Sequence, residues 1–149
     1  MATIVLFYRE DKILLSLRAG NIERTGTWGC IGGHVNLEEA EGFAEALSRE
    51  IQEETGLYIS PEKFNETSPF KTVLLHHIEM IETSDASGVH LQYIYPLSKE
   101  EEKQMTPEDE TDELKWFTRQ EFEKLAAEGK MGFEEHSELI RTFFKQAQI

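Results

Sequence analysis

Residues 32–57, GGHVNLEEAEGFAEALSREIQEETGL, decide how the rest of the chain is read. Ala40, Phe43, Ala44, Leu47 and Ile51 recur there at spacings of three and four, which predicts a helix from about Glu39 with one apolar stripe. Gly56 supplies a C-cap signal. At about 100° per residue, Glu50, Glu53 and Glu54 project within roughly one third of that helix's circumference. Each like-charge pair costs about 0.2–0.5 kcal/mol, and glutamates in a last turn also face the negative end of the helix dipole. Arg49, four residues before Glu53, offsets part of the excess, while Glu54 projects towards Phe43 and Leu47, partly out of free solvent.

A solvated face is the ordinary explanation for an acidic cluster on a helix. Three features argue instead for a cation site. The acidic side abuts the apolar side, the cluster occupies the unfavourable helix end, and Gly32 with Gly33 reads as a turn where backbone approaches a ligand. Carboxylate oxygens are hard donors suited to Mg²⁺ or Mn²⁺, with water and substrate phosphates completing the shell.

Outward from this helix, residues 3–8 (TIVLFY) and 12–17 (KILLSL) are β-rich runs that predict a hairpin. Residues 18–27 form a polar loop, and residues 28–35 continue as strand or turn. Residues 70–81 (FKTVLLHHIEMI) and 89–97 (VHLQYIYPL) predict paired strands joined by ETSDASG. Residues 98–112 are a charged, proline-containing connection, and residues 113–117 (ELKWF) return to strand. Thr118 and Glu121 have capping-box spacing for a helix to about Gly129, and residues 133–146 predict a final amphipathic helix. Strands and helices are mixed without regular alternation, so the fold class expected is α/β, a mixed sheet covered by helices rather than a doubly wound parallel sheet.

With 149 residues, the expectation is one domain spanning 1–149 with a substantial core. The 15 Lys and Arg against 29 Asp and Glu give a formal charge of −14, which repels polymeric nucleic acid and anionic membrane and attracts divalent cations. The one cysteine, Cys30, makes no internal disulfide, the first residues lack the pattern of a secretory signal, and no apolar run nears the roughly 18 residues that span a bilayer. A soluble, cytoplasmic protein is expected.

Glu41, Arg49, Glu50, Ile51, Glu53, Glu54, Gly56 and Leu57, with REIQEETGL at their centre, resemble the Nudix hydrolase box G-x5-E-x7-R-E-U-x-E-E-x-G-U, where U is aliphatic. From Glu41 onward the spacing fits at every specified position. The box covers about 25 residues, and the order of elements around it resembles the family's α/β/α sandwich. Two departures stand out. Gly33 precedes Glu41 by eight residues where the pattern has six, and Ile31 stands where many members carry proline.

The resemblance implies that Glu50, Glu53 and Glu54 hold Mg²⁺ or Mn²⁺, that Arg49 orients a glutamate, and that the Gly32 carbonyl is a further ligand. Gly33, Glu41 and Gly56 become supporting residues. It also implies a glutamate from a loop outside the box, as ligand or general base. Glu110, six residues before Trp116, is the best match, with Glu108 and Glu113 as rivals and Glu53 as the alternative base. Arg18, Arg24 and His34 flank the glycine pair and are candidates for phosphate contact.

The implied activity is Mg²⁺-dependent hydrolysis of a diphosphate linkage in a small nucleoside di- or triphosphate derivative. Residues 71–75 (KTVLL) lack the proline of ADP-ribose hydrolases and the tyrosine of dinucleoside polyphosphate hydrolases, which resembles MutT-type nucleotide-cleansing members. Hydrolysis of ADP-ribose or nucleotide sugars, and a non-catalytic nucleotide-binding module, are the alternatives. His76 and His77 are adjacent on an expected strand and so point to opposite faces, against joint zinc ligation; with His90 they read as ordinary strand residues. Cys30 reads as packed, and Trp28, Tyr95 and Phe133 are candidates for stacking on a base, although core placement is the commoner role.

Overall fold

β1 (Ala2–Arg9) and β2 (Lys12–Arg18) close the expected hairpin, with Phe7 opposite Leu14 and Glu10 turning the chain at φ 55°. The computed structural model describes residues 2–20, 24–66, 76–82 and 87–149. The two strands part beyond this short pairing, and the next segment fills the gap. β3 (Trp28–Gly29) pairs with β2, and β4 (Ile31–His34) pairs with β1. Cys30, between them, is where the chain passes from one partner strand to the other.

β5 (His76–Glu82) and β6 (Ser87–Pro96) pair antiparallel, and β6 runs parallel to β1 with Ala2 opposite His90. Among the described residues, β7 (Thr111–Thr118) completes a mixed seven-stranded sheet against β2. Alternation along the strands sends side chains to opposite faces. One face carries Ile4, Leu6, Ile13, Leu15 and Ile94, which pack on Phe122 of α4 (Arg119–Ala127) and on Leu139, Ile140, Phe143 and Phe144 of α5 (Glu134–Ala147). The other carries Val5, Phe7, Leu14, Tyr93 and Tyr95, which pack on Leu47 and Ile51 of α1 (Phe43–Thr55). Each such fully buried side chain contributes about 1.5–3 kcal/mol. The result is the expected α/β/α arrangement. Among the described residues no helix is long and apolar enough to cross a membrane.

Four local expectations need correction. The helix of the quoted stretch begins at Phe43 rather than near Glu39: Leu37–Glu39 form one 3-10 turn ended by Ala40 at φ 56°. Asn36 causes this, because its carbonyl accepts the Glu39 and Glu41 amides at 3.2 and 3.1 Å and closes the loop on itself. Ala40 is therefore exposed and not part of the apolar stripe. Gly32 and Gly33 lie in β4 rather than in a turn, opposite Ile4 and Thr3. A Cβ on Gly32 would collide with the Thr3 carbonyl and Ile4, so the bare backbone permits close strand pairing.

The charged connection contains α3 (Lys99–Glu102), with both capping-box bonds of Ser98 and Glu101 formed, and Lys63–Glu66 form a further short helix, α2. β7 begins at Thr111, two residues earlier than expected. Thr118 and Glu121 make the expected capping box, and Gly129 follows α4 at φ 70°. Residues 70–75 and 83–86 of the expected strand pair and its linker lie outside the described residues.

Candidate active site

The C-terminal half of α1 brings three glutamates to the rim of the sheet. Gly56, at φ 79°, ends the helix with its amide on the Gln52 carbonyl at 2.8 Å. The last carbonyls of a helix lack intrahelical partners. Here Thr106 and Glu108 donate their amides to Thr55 and Glu54 at 2.8 and 2.9 Å, which straps the acidic loop before β7 to the end of α1. The same loop is held from the other side by the Ala19 amide, which donates to the Glu110 carbonyl at 2.8 Å. Glu110 thereby joins Glu50, Glu53, Glu54 and Asp109 around one acidic recess.

Glu50 lies where Gly33 has no side chain, because a Cβ on Gly33 would overlap its carboxylate. Burial pushes the Glu50 carboxyl above its ordinary pKa. Arg49 opposes the rise, and Glu53 and Glu110 add to it. Glu54 is pushed up to about 8, first by burial and then by Glu50, with Glu110 and Glu53 adding and Arg18 opposing. Both shifts describe a cluster short of positive charge.

Arg49 cannot supply that charge alone. Its Nε and Nη2 donate to the two carboxylate oxygens of Glu41 at 2.8 and 3.0 Å, and Nη2 also donates to the His34 carbonyl at 2.9 Å. What remains is shared between Glu50 at 3.1 Å and Glu53 at 3.3 Å. Glu41, which also accepts the Asn36 amide at 2.9 Å, is held below the usual carboxylate range, chiefly by its bond from Arg49. Glu41 thus anchors the arginine, and the arginine orients Glu50.

A cavity of about 320 Å³ opens beside this cluster. Glu50, Glu54, Glu110 and Arg18 line it, with Gly32, Gly33 and His34 along the sheet and Phe133 and His136 from the start of α5. The structure separates Arg18 from Arg24. Arg18 reaches the cavity with its guanidinium 4.8 Å from the Phe133 ring centroid. Arg24 stacks on the same ring at 4.6 Å, donates to the Gly132 carbonyl, and does not line the cavity. Glu53 is the most solvent-facing of the α1 trio, at 48 % side-chain exposure. Of the two rivals of Glu110, Glu108 lies over Gly56 and Glu113 is on β7; neither lines the cavity or the acidic recess.

Tyr95 is buried with its hydroxyl donating to Glu101 at 2.7 Å, and Trp28 packs edge-on against Phe117 at 5.0 Å; neither lines the cavity, whereas Phe133 does. Cys30 is packed, and burial pushes its thiol up to about 12. His136 escaped the sequence reading. It is a buried residue beside Ser137 at the start of a helix whose remaining buried side chains are apolar, and it meets the site because α5 returns to Cys30, between β3 and β4.

Hard carboxylate donors with raised pKa values fit a divalent cation such as Mg²⁺ or Mn²⁺. Among the described residues, no three His, Cys, Asp or Glu side chains stand close enough together to hold an ion as they are.

The NUDIX domain model matches residues 1–141. An Ap4A hydrolase from C. elegans, solved as a binary complex, superposes with a TM-score of 0.68 at 19% identity, covering 99% of this chain and 96% of that one. A bifunctional NMN adenylyltransferase/ADP ribose pyrophosphatase from Francisella tularensis, complexed with AMP and a Mn ion, gives 0.64 at 17% identity. That match covers 98% of this chain and 41% of the other, so the chain spans about two fifths of the bifunctional enzyme's length. A MutT NUDIX hydrolase from Burkholderia pseudomallei gives 0.57 at 23% identity, covering 80% and 83%. These identities speak for the fold. No curated protein matches the chain.

Proposed function

Because the chain belongs to the Nudix family of pyrophosphohydrolases, we propose that it cleaves a diphosphate linkage in a nucleoside di- or triphosphate derivative, with MutT-type nucleotide cleansing as its use and Mg²⁺ or Mn²⁺ as its cofactor. One observation carries this reading: Glu50, Glu54 and Glu110, drawn from α1 and a separate loop, line one cavity with Arg18. The nucleoside diphosphate linkage is also common to the substrates for which two of the structural neighbours are named, an Ap4A hydrolase and an ADP ribose pyrophosphatase.

Glu50, Glu53, Glu54 and Glu110, with the Gly32 carbonyl, are the residues that would hold the metal. When bound, the ion neutralises phosphate oxygens and lowers the pKa of the attacking water. Arg18 offers a fixed positive charge to phosphate, in a cavity otherwise dominated by carboxylates. Arg49 keeps Glu50 in one orientation. Glu110 or Glu53 takes the proton from the attacking water, and the same group returns it to solvent after the phosphate leaves.

The test is a screen of nucleoside triphosphates, nucleotide sugars, ADP-ribose and dinucleoside polyphosphates, each with Mg²⁺, with Mn²⁺ and with chelator. Metal-dependent release of a nucleotide product is expected. Turnover undiminished in metal-free buffer overturns the cofactor assignment, and no turnover with any of the compounds returns the chain to a binding role.

A further inference from the structure

Glu135 brings a carboxylate to the cavity from the side opposite α1. Glu50 and Glu54 belong to α1, which packs on one face of the sheet, and Glu135 belongs to the first turn of α5, which packs on the other. The cavity passes between them along β4, at Gly32 and Gly33, and Glu135 lines it. Glu135 stands one helical turn before the buried Leu139, at the margin of the apolar stripe of α5, and is itself half-buried. Its neighbour Glu134 is 75% exposed, with Arg141 at 3.6 Å, and already supplies the negative charge that a first helical turn favours. Glu135 is treated differently: among the described residues it makes no hydrogen bond and no ion pair. A half-buried acceptor without a donor costs stability, and the cavity is where its donor would arrive.

We propose that Glu135 selects the nucleobase by its donors, taking the ring N–H and the neighbouring amino N–H of a guanine edge on its two carboxylate oxygens. This rests on the nucleotide-hydrolase reading above and adds base selectivity to it. A nucleotide carries its phosphates at one end and its base at the other, with ribose between, so phosphates held at α1 send the base towards α5. A carboxylate only accepts, and two parallel bonds from adjacent N–H groups to its two oxygens make a strong and directional pair. Of the four common bases, guanine alone sets two N–H donors side by side on its pairing edge. Adenine and cytosine present a bare ring nitrogen there, and uracil flanks its N–H with carbonyl oxygens, so each of them brings a lone pair against the negative charge.

Glu135→Gln tests this, because it keeps the side chain's size and sets an amino group against the donors of the base. The readouts are kcat/KM with Mg²⁺ on GTP, on ITP, which differs from GTP only in lacking the 2-amino group, on ATP and on 2′,3′-dideoxy-GTP, together with the Ki of inorganic tripolyphosphate as competitor. The parent is expected to prefer GTP to ITP by about tenfold or more, as one hydrogen bond to a charged group implies. Glu135→Gln is expected to erase that preference through KM, to do so equally on the dideoxy substrate, and to leave Ki and the circular dichroism spectrum as in the parent. An equal loss on GTP, ITP and ATP overturns the proposal and places Glu135 with the phosphates or the metal. No loss on any of them overturns it too and leaves Glu135 as a first-turn charge, and a loss that vanishes on the dideoxy substrate shows that ribose is read instead of guanine. If the parent hydrolyses none of the four, the hydrolase reading fails separately, and the same comparison is read from ligand-induced Tm shifts. There GTP must stabilise the parent more than ITP does and Glu135→Gln must remove the difference; a difference that is absent from the parent or unchanged in the variant overturns the proposal.

Discussion

Helices α3 and α1 each hold a trio of glutamates, residues 100–102 in one and Glu50, Glu53 and Glu54 in the other, and the fold treats the two trios in opposite ways. In α3 they occupy the first turn, and the inner two are given donors. Glu101 accepts the Ser98 amide at 3.0 Å and the Tyr95 hydroxyl at 2.7 Å, and Glu102 accepts Arg9 and the Trp116 indole N–H, both at 2.8 Å. The bond from Trp116, then that from Arg9, holds the Glu102 carboxyl below the usual range. In α1 the trio sits at the C-terminal end, and the guanidinium bonded to it, that of Arg49, is mostly taken by Glu41. Glu50 and Glu54 are half-buried beside like charges, and their carboxyl pKa values rise. Counting charges does not distinguish these clusters; counting donors does. An acid supplied with donors holds the fold, and an acid denied them is the kind that the proposed metal role requires.

The largest effects should separate the two clusters by rate. Glu54→Gln and Glu53→Gln are each expected to lose at least ~10²-fold in kcat/KM with the circular dichroism spectrum retained, whereas Glu102→Gln keeps its rate at temperatures where it is folded. A fully active Glu53→Gln/Glu54→Gln double mutant would return α1 to a solvated face. Next comes Gly33→Ala, whose new Cβ must displace the Glu50 carboxylate. A loss of about 10-fold to 10²-fold is expected from so small a misplacement, and full activity would show that the bare backbone does not set Glu50.

Glu110→Gln should follow, lowering kcat by about tenfold or more with little change in KM, while Glu108→Gln and Glu113→Gln stay mild. If Glu113→Gln is instead the damaging change, the outer glutamate has been misassigned; if all three are neutral, Glu53 is the base.

The smallest effects are in stability, and their signs differ. Folded Glu54, with its pKa pushed up to about 8, binds its proton more tightly than the unfolded chain does. Metal-free stability therefore falls as pH rises from the ordinary carboxylate range through about 8. Glu54→Gln should raise Tm in chelator at pH 8 by a few °C, with the gain fading towards pH 5. Glu102 is shifted the other way, so its contribution is present above the ordinary carboxylate pKa and is lost as pH falls through the lowered folded value. Glu102→Gln should cost about 1 kcal/mol at pH 8 and less on acidification below 4. Equal signs at pH 8 in thermal melts would break the contrast.

What was legible in the sequence followed from periodicity and from local bonds. The β-rich runs of β1 and β2, the apolar stripe through Leu47 and Ile51, and the Thr118 capping box each involve neighbours along the chain, and each is present. The helix start at Glu39 misread Ala40, because the closed loop on Asn36 overrides the spacing of apolar residues. The capping box of Ser98 and Glu101 was equally local and went unread inside a run of charges. The glycine pair looked like a turn because its reason is tertiary: one glycine makes room for β1 and the other for Glu50. Within the site, the α1 trio could be grouped from helical geometry. Glu110 could be placed only by analogy, since its position depends on straps from Ala19 and α1, and His136 not at all, since its partner Cys30 is remote in sequence.

The parallel pairing of β1 with β6, Ala2 opposite His90 through Tyr8 opposite Pro96, has a consequence for the order of assembly. During synthesis β1 leaves the ribosome long before the strand that covers this edge exists, so TIVLFY, an apolar run free of charge and proline, stays exposed while most of the remaining chain is made. β2 and β4 shelter the opposite edge early, because they follow closely. The open edge is the nascent chain's point of exposure to aggregation, and chaperone demand should track the time taken to translate as far as residue 96 rather than the stability of the finished protein.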